Sequence, residues 1–158
     1  MARCSSESWS KVAMSSRTVV CAPVTDGQLQ GFPVSGTLDD VLGFELLELT
    51  GDSCRGRFAV EQRVQQPFGL VHGGAYAALA ETMASWATVA AVGPDGNIAV
   101  GMSNSTTFLR PVTTGAVHAD ATPRHRGRTT WVWDVEFSDD EGRLCAISRV
   151  TLAVRPPA

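Results

Sequence analysis

The sequence predicts an α+β domain in which one long helix lies across an antiparallel sheet of about six strands. Three observations carry this. Residues 74 to 92 form one unbroken, alanine-rich apolar segment that ends at "GPDG". Six other segments have strand character and are separated by Gly, Pro and Asp. The links between strands are short, and a single helix cannot supply the several crossovers of a parallel sheet.

Taken in order, residues 1 to 30 are Ser-rich and lack periodic apolar positions, so they read as a poorly ordered tail, with Met14 an alternative start. Residues 31 to 158 read as a single domain. Thr37 can cap a short helix whose first turn carries Asp39 and Asp40 and which stops at Gly43. Residues 44 to 50 and 54 to 62 read as strands around a turn at Gly51 and Asp52. "RVQQPFG" is loop, because Pro67 and Gly69 interrupt it. After the helix come strands over about 97 to 109, 115 to 125, 129 to 138 and 143 to 155. Their connections, "PVTTG", "HRGR" and "SDDEGR", are hairpin-like. Alternation in "WVWDVEF" puts Trp131, Trp133, Val135 and Phe137 on one face, as sheet core.

Composition narrows the function. With 44% hydrophobic and 18% charged residues, the 158-residue chain can build a core, and low charge beside an alanine-rich helix suggests cover by another subunit. A net charge of −3 gives no bias toward nucleic acid or membrane. Cys4, Cys21, Cys54 and Cys145 are too widely spaced for a zinc motif and read as reduced thiols; three histidines are too scattered for a metal cluster. No apolar run is long enough to span a membrane, and no secretory leader is visible, so the expected compartment is the cytoplasm.

Glu81 stands alone in the long helix, with no Lys or Arg between Arg63 and Arg110. On a wheel of about 100° per residue, Gly74, Ala77, Ala78, Ser85 and Thr88 share its side, whereas Tyr76, Leu79, Met83, Trp86 and Ala90 lie opposite. The bulky side should meet the sheet. The small side should let a chain or ligand approach a half-buried acid that Ser85 orients from one turn on. Such a carboxylate suits general-base or nucleophilic catalysis; a solvated helix face or a distant arginine partner is the plain alternative. At the helix start, His72-Gly73-Gly74 offers unpaired N–H groups and the positive dipole end to a polarised carbonyl oxygen. The two groups are about 12 Å apart along one helix, so acting on one carbonyl requires two helices packed antiparallel across a dimer axis.

"QQPFGLVHGGAYAALAETMAS", "FLRPV" and "PRHRGR" before a Trp-bearing strand together resemble the hotdog-fold acyl-CoA thioesterases. The likeness covers roughly residues 36 to 155 and is strongest to the PaaI-like and Arthrobacter-type 4-hydroxybenzoyl-CoA group, which includes the enterobactin-pathway proofreading thioesterase. This resemblance implies a homodimer that pairs into a dimer of dimers and hydrolyses a thioester of CoA or of an acyl carrier protein. No cofactor or metal is implied, CoA being part of the substrate. Glu81 matches the acid, Gly73 the amide that polarises the carbonyl, Gln66 and His72 the residues that place substrate and helix start, and Ser85 the orienting hydroxyl. The chain departs from the pattern at Ser103 and Ser105, where an acid and an Asn are common, and at Phe108, where the enterobactin-type enzyme has His; both positions are expected near the acyl end. Gly74, Arg110 and the cluster Arg124, Arg126, Gly127 and Arg128 are expected to hold CoA, against the plain reading of an exposed charged turn. A non-catalytic acyl-CoA-binding hotdog domain is the alternative of another class. An enoyl-CoA hydratase would need an Asp/His motif that is not found.

Overall fold

The computed structural model describes residues 35–157; the expected tail over 1 to 30, with Cys4, Met14 and Cys21, lies outside them. Helix α1, Leu38–Leu42, starts at Thr37, whose Oγ1 accepts from the Asp40 N–H, and stops at Gly43 in the left-handed region at φ 70°. Strands β1, Glu45–Leu49, and β2, Cys54–Ala59, form the first hairpin. The long helix α2 runs Gly73–Val92, and strands β3, Ile98–Phe108, β4, Ala116–Arg126, β5, Thr130–Ser138, and β6, Leu144–Arg155, follow it.

All six strands form one antiparallel sheet in the order β1-β2-β4-β5-β6-β3. The expected hairpin at "PVTTG" is therefore corrected. β3 pairs with β6 along the edge, and residues 111 to 115 carry the chain across the sheet's end to β4, which pairs with β2. The links around "HRGR" and "SDDEGR" are hairpins as expected.

The core lies between α2 and the concave sheet face. Trp131, Trp133, Val135 and Phe137 are all buried, as the alternation requires, and pack with Phe58, Val117, Val150 and Leu152 against Leu79 and Met83. Truncating either of these last two to Ala costs about 2–5 kcal/mol, since each is fully enclosed.

The helix wheel is only half right. Tyr76, Leu79 and Met83 are buried, but Ala90 is exposed, Trp86 is half-buried, and Thr88, on the Glu81 side, is fully buried. Thr88 meets the sheet instead: its Oγ1 donates to the Ala84 carbonyl at 2.8 Å and accepts from Trp133 Nε1 of β5 at 2.9 Å. Over its first half, the small-residue side of α2 is met by β3 of the same chain. The pairs Gly73 with Phe108, Ala77 with Asn104 and Glu81 with Gly101 run antiparallel along the two elements. Among the described residues, no helix is long and apolar enough to cross a membrane.

Candidate active site

The segment before α2 is held from both sides. Val71 N–H donates to the Val112 carbonyl and His72 N–H to the Val64 carbonyl, and Gln65 and Val71 form an isolated bridge. This anchoring fixes where the helix begins. His72 caps it through Nδ1, which accepts from the Gly74 N–H at 2.8 Å. The Gly74 amide is thus used internally, while the Gly73 N–H makes no hydrogen bond among the described residues.

That free amide opens on a cleft of about 620 Å³ lined by Gln66, His72, Gly73, Tyr76, Phe108 and Arg110, with Leu70 and Val112 adding apolar wall. Gln66 Oε1 accepts from Phe68 N–H, and its Nε2 has no partner among the described residues. The Phe108 ring covers Gly73. Gly74 instead faces a groove beside α1, with Leu38, Leu42 and Ala78.

Glu81 is exposed in the protomer rather than half-buried, and among the described residues it forms no ion pair. The expected hydrogen bond from Ser85 is not made; what lies against the carboxylate is the backbone of β3 at Gly101. Sequence reasoning missed Gly101 and Asn104. The available signal was the side-chain alternation of β3, but a bulge between Gly101 and Ser103 breaks its phase. Ser103 and Ser105 line a groove on the outer sheet face, with Asp134 and Arg149, and not the helix side where the acyl end was expected.

The arginine cluster is split. Arg124 pairs with Asp134 on the outer face, where Arg149 and Arg124 together hold the Asp134 carboxyl below its usual range. Arg126 pairs with Asp52 and stacks on Trp131, 5.1 Å from the ring centre. A bulge between Pro123 and His125 sends the two side chains apart. Arg128 and Arg110 form no ion pair among the described residues, and they lie at opposite ends of the sheet. Trp131 Nε1 donates to the Gly127 carbonyl, which shapes the turn.

The two cysteines among the described residues are unsuited as nucleophiles. Cys54 and Cys145 are buried and unpaired, and burial pushes the Cys54 thiol up to about 12 and raises that of Cys145. Among the described residues, no group of three or more His, Cys, Asp or Glu side chains is placed to hold a metal ion.

Known proteins share this fold. The signature of the thioesterase superfamily matches residues 68–146. The proofreading thioesterase EntH of Cronobacter turicensis is 41% identical over 119 residues, covering 75% of this chain and 86% of that protein. The crystal structure of a mutant thioesterase PA1618 from Pseudomonas aeruginosa superposes with a TM-score of 0.74 at 37% identity, covering 77% of this chain and 88% of that one. Thioesterase HI1161 of Haemophilus influenzae gives a TM-score of 0.73 at 38% identity, covering 77% and 85%. The helix wrapped by a six-stranded sheet is the hotdog fold of these proteins.

Proposed function

The chain belongs to the thioesterase superfamily, and we propose that it hydrolyses an acyl-CoA thioester, or one borne by an acyl carrier protein, to a free acid and a thiol. The observation that carries the reading is the pairing, on one helix, of an exposed carboxylate, Glu81, with an amide at a cleft, Gly73, neither of which has an ion-pair or hydrogen-bond partner among the described residues.

In this reading the thioester carbonyl oxygen takes the Gly73 N–H at the positive end of α2. Gln66 and His72 shape the cleft around it. Glu81 removes a proton from water, whose oxygen attacks the carbonyl carbon. The tetrahedral oxyanion then collapses with cleavage of the C–S bond, and the thiolate takes up the proton. Direct attack by Glu81 gives a mixed anhydride that water opens. Neither route needs a metal or an organic cofactor.

One helix separates the two groups too widely, so the acid serves the amide of a second copy. An exposed edge supports this. β3 is 11 residues long with one side unpaired, and it carries Met102 at 63% exposure and Phe108 at 56%. Antiparallel pairing of two such edges sets the Gly101 end of one strand toward the Phe108 end of the other, and with them Glu81 and the partner copy's helix start. Pairing of dimers, and a cytoplasmic setting, belong to the same proposal. Of the four arginines expected to hold CoA, Arg110 at the cleft and Arg128 beside Gly127, neither ion-paired among the described residues, remain to meet its phosphates; Arg124 and Arg126 are already engaged.

The test is a panel of aryl and aliphatic thioesters of CoA, followed by thiol release, on the wild type and Glu81→Gln. Expected is turnover by the wild type and a loss of at least about 100-fold in the variant, with its oligomer intact. Tight binding without thiol release from the wild type would instead establish an acyl-CoA-binding domain.

A further inference from the structure

We propose that Gly101 and Asn104 of β3 are positioning residues for the Glu81 carboxylate, an inference that rests on Glu81 being the reacting acid. Two observations, one steric and one polar, locate them.

A Cβ added to Gly101 would stand 2.8 Å from Glu81 Oε1 and 3.6 Å from its Cδ, and it meets no other atom within 4 Å. The carboxylate therefore occupies the space that any side chain at 101 would fill. Gly101 has no need of glycine for its own backbone, because it is not among the glycines with positive φ. Its small size serves the acid. The bulge between Gly101 and Ser103 lies directly beside it, a device that re-aims a strand at such sites.

One helical turn earlier, Asn104 Nδ2 donates to the Ala77 carbonyl at 2.8 Å. In an α-helix that carbonyl also accepts the Glu81 N–H, so the bond ties β3 to the turn that carries the acid. The Asn104 amide is itself held. Thr106 Oγ1 donates to its Oδ1 at 3.0 Å and lies 2.7 Å from the hydroxyl of buried Ser148. The chain Ser148–Thr106–Asn104 thus fixes the distance between strand and helix. Gly101, three residues back and on the same concave side of β3, then limits where the carboxylate can sit. This support replaces the Ser85 hydrogen bond that the structure lacks.

The clash at Gly101 would fall on the far end of a flexible side chain, so a methyl group there displaces the acid and leaves the fold unchanged. Gly101→Ala should therefore lower kcat by about 10- to 100-fold, with KM within about threefold and an unaltered melting temperature. Glu81→Asp withdraws the carboxylate by one methylene. In the Glu81→Asp background, Gly101→Ala should cost less than about threefold. Asn104→Ala, which adds no atom near the acid, should lower kcat without raising KM. Equal losses from Gly101→Ala in both backgrounds, or unchanged kcat in Gly101→Ala and Asn104→Ala alike, would overturn the proposal. Full activity of Glu81→Gln would instead remove the reading on which it rests, so the two failures are separable.

Discussion

The Phe108 ring lies against Gly73 so closely that a Cβ on Gly73 would fall 2.6 Å from Phe108 Cζ and about 3 Å from the adjoining ring carbons. Ring and glycine form one wall of the cleft beside the free amide. Gly73→Ala forces the ring away from the amide, and a misplacement on the order of 1 Å lowers kcat/KM by roughly 100-fold. Removing the ring as well, in Gly73→Ala/Phe108→Ala, relieves the overlap and should restore part of that loss. A double variant as slow as Gly73→Ala alone would mean that the ring is not the obstacle.

How much of this was legible in the sequence differs from element to element. Strand and helix limits follow from local chemistry: the Thr37 cap, the Gly43 stop and the "GPDG" stop each act within a turn or two of their own position. The neighbour of β3 does not. "PVTTG" has the length and residues of a hairpin loop, and only the competition of β2 for the edge of β4 decides that β3 joins β6. The site behaves likewise. Glu81 stands out as a helical acid with no cation near it, but Gly101 and Asn104 become its neighbours only once β3 folds back along α2. A bulge at Arg124 similarly separates two arginines that simple alternation would place together.

Tyr76, the only tyrosine in the chain, has a buried hydroxyl without a hydrogen-bond partner among the described residues, packed between Phe58, Phe108 and Phe137. Burial, reinforced by the nearby Cys145 thiol and Asp139 carboxylate, pushes its pKa from 10.0 to about 12. The fold thus favours the neutral phenol. That contribution to stability is complete below the unfolded value, and it is lost as pH rises from 10.0 through about 12. Phenolate absorbance of the native protein should rise near the upper value and that of the unfolded chain near the lower. Native titration at the unfolded value would refute this. Tyr76→Phe should keep or raise the melting temperature, because it deletes an unsatisfied polar atom.

Thr88 gives the sharpest test of how the sheet encloses α2. Its hydroxyl is the partner of Trp133 Nε1, and both residues are fully buried. Valine has nearly the same shape, so Thr88→Val leaves packing intact but strands an indole N–H away from water. That costs about 1–3 kcal/mol, or roughly 2–4 °C of melting temperature per kcal/mol for a chain of this size. Removing both partners, in Thr88→Val/Trp133→Phe, leaves no orphaned donor. Its loss, measured by thermal unfolding, should fall short of the sum of the two single losses, although Trp133→Phe adds a cavity term of its own. Strict additivity would show that the bond contributes nothing. The sheet's grip on this end of the helix would then rest on apolar contact alone, and the buried threonine on the acid's side of α2 would have no energetic role.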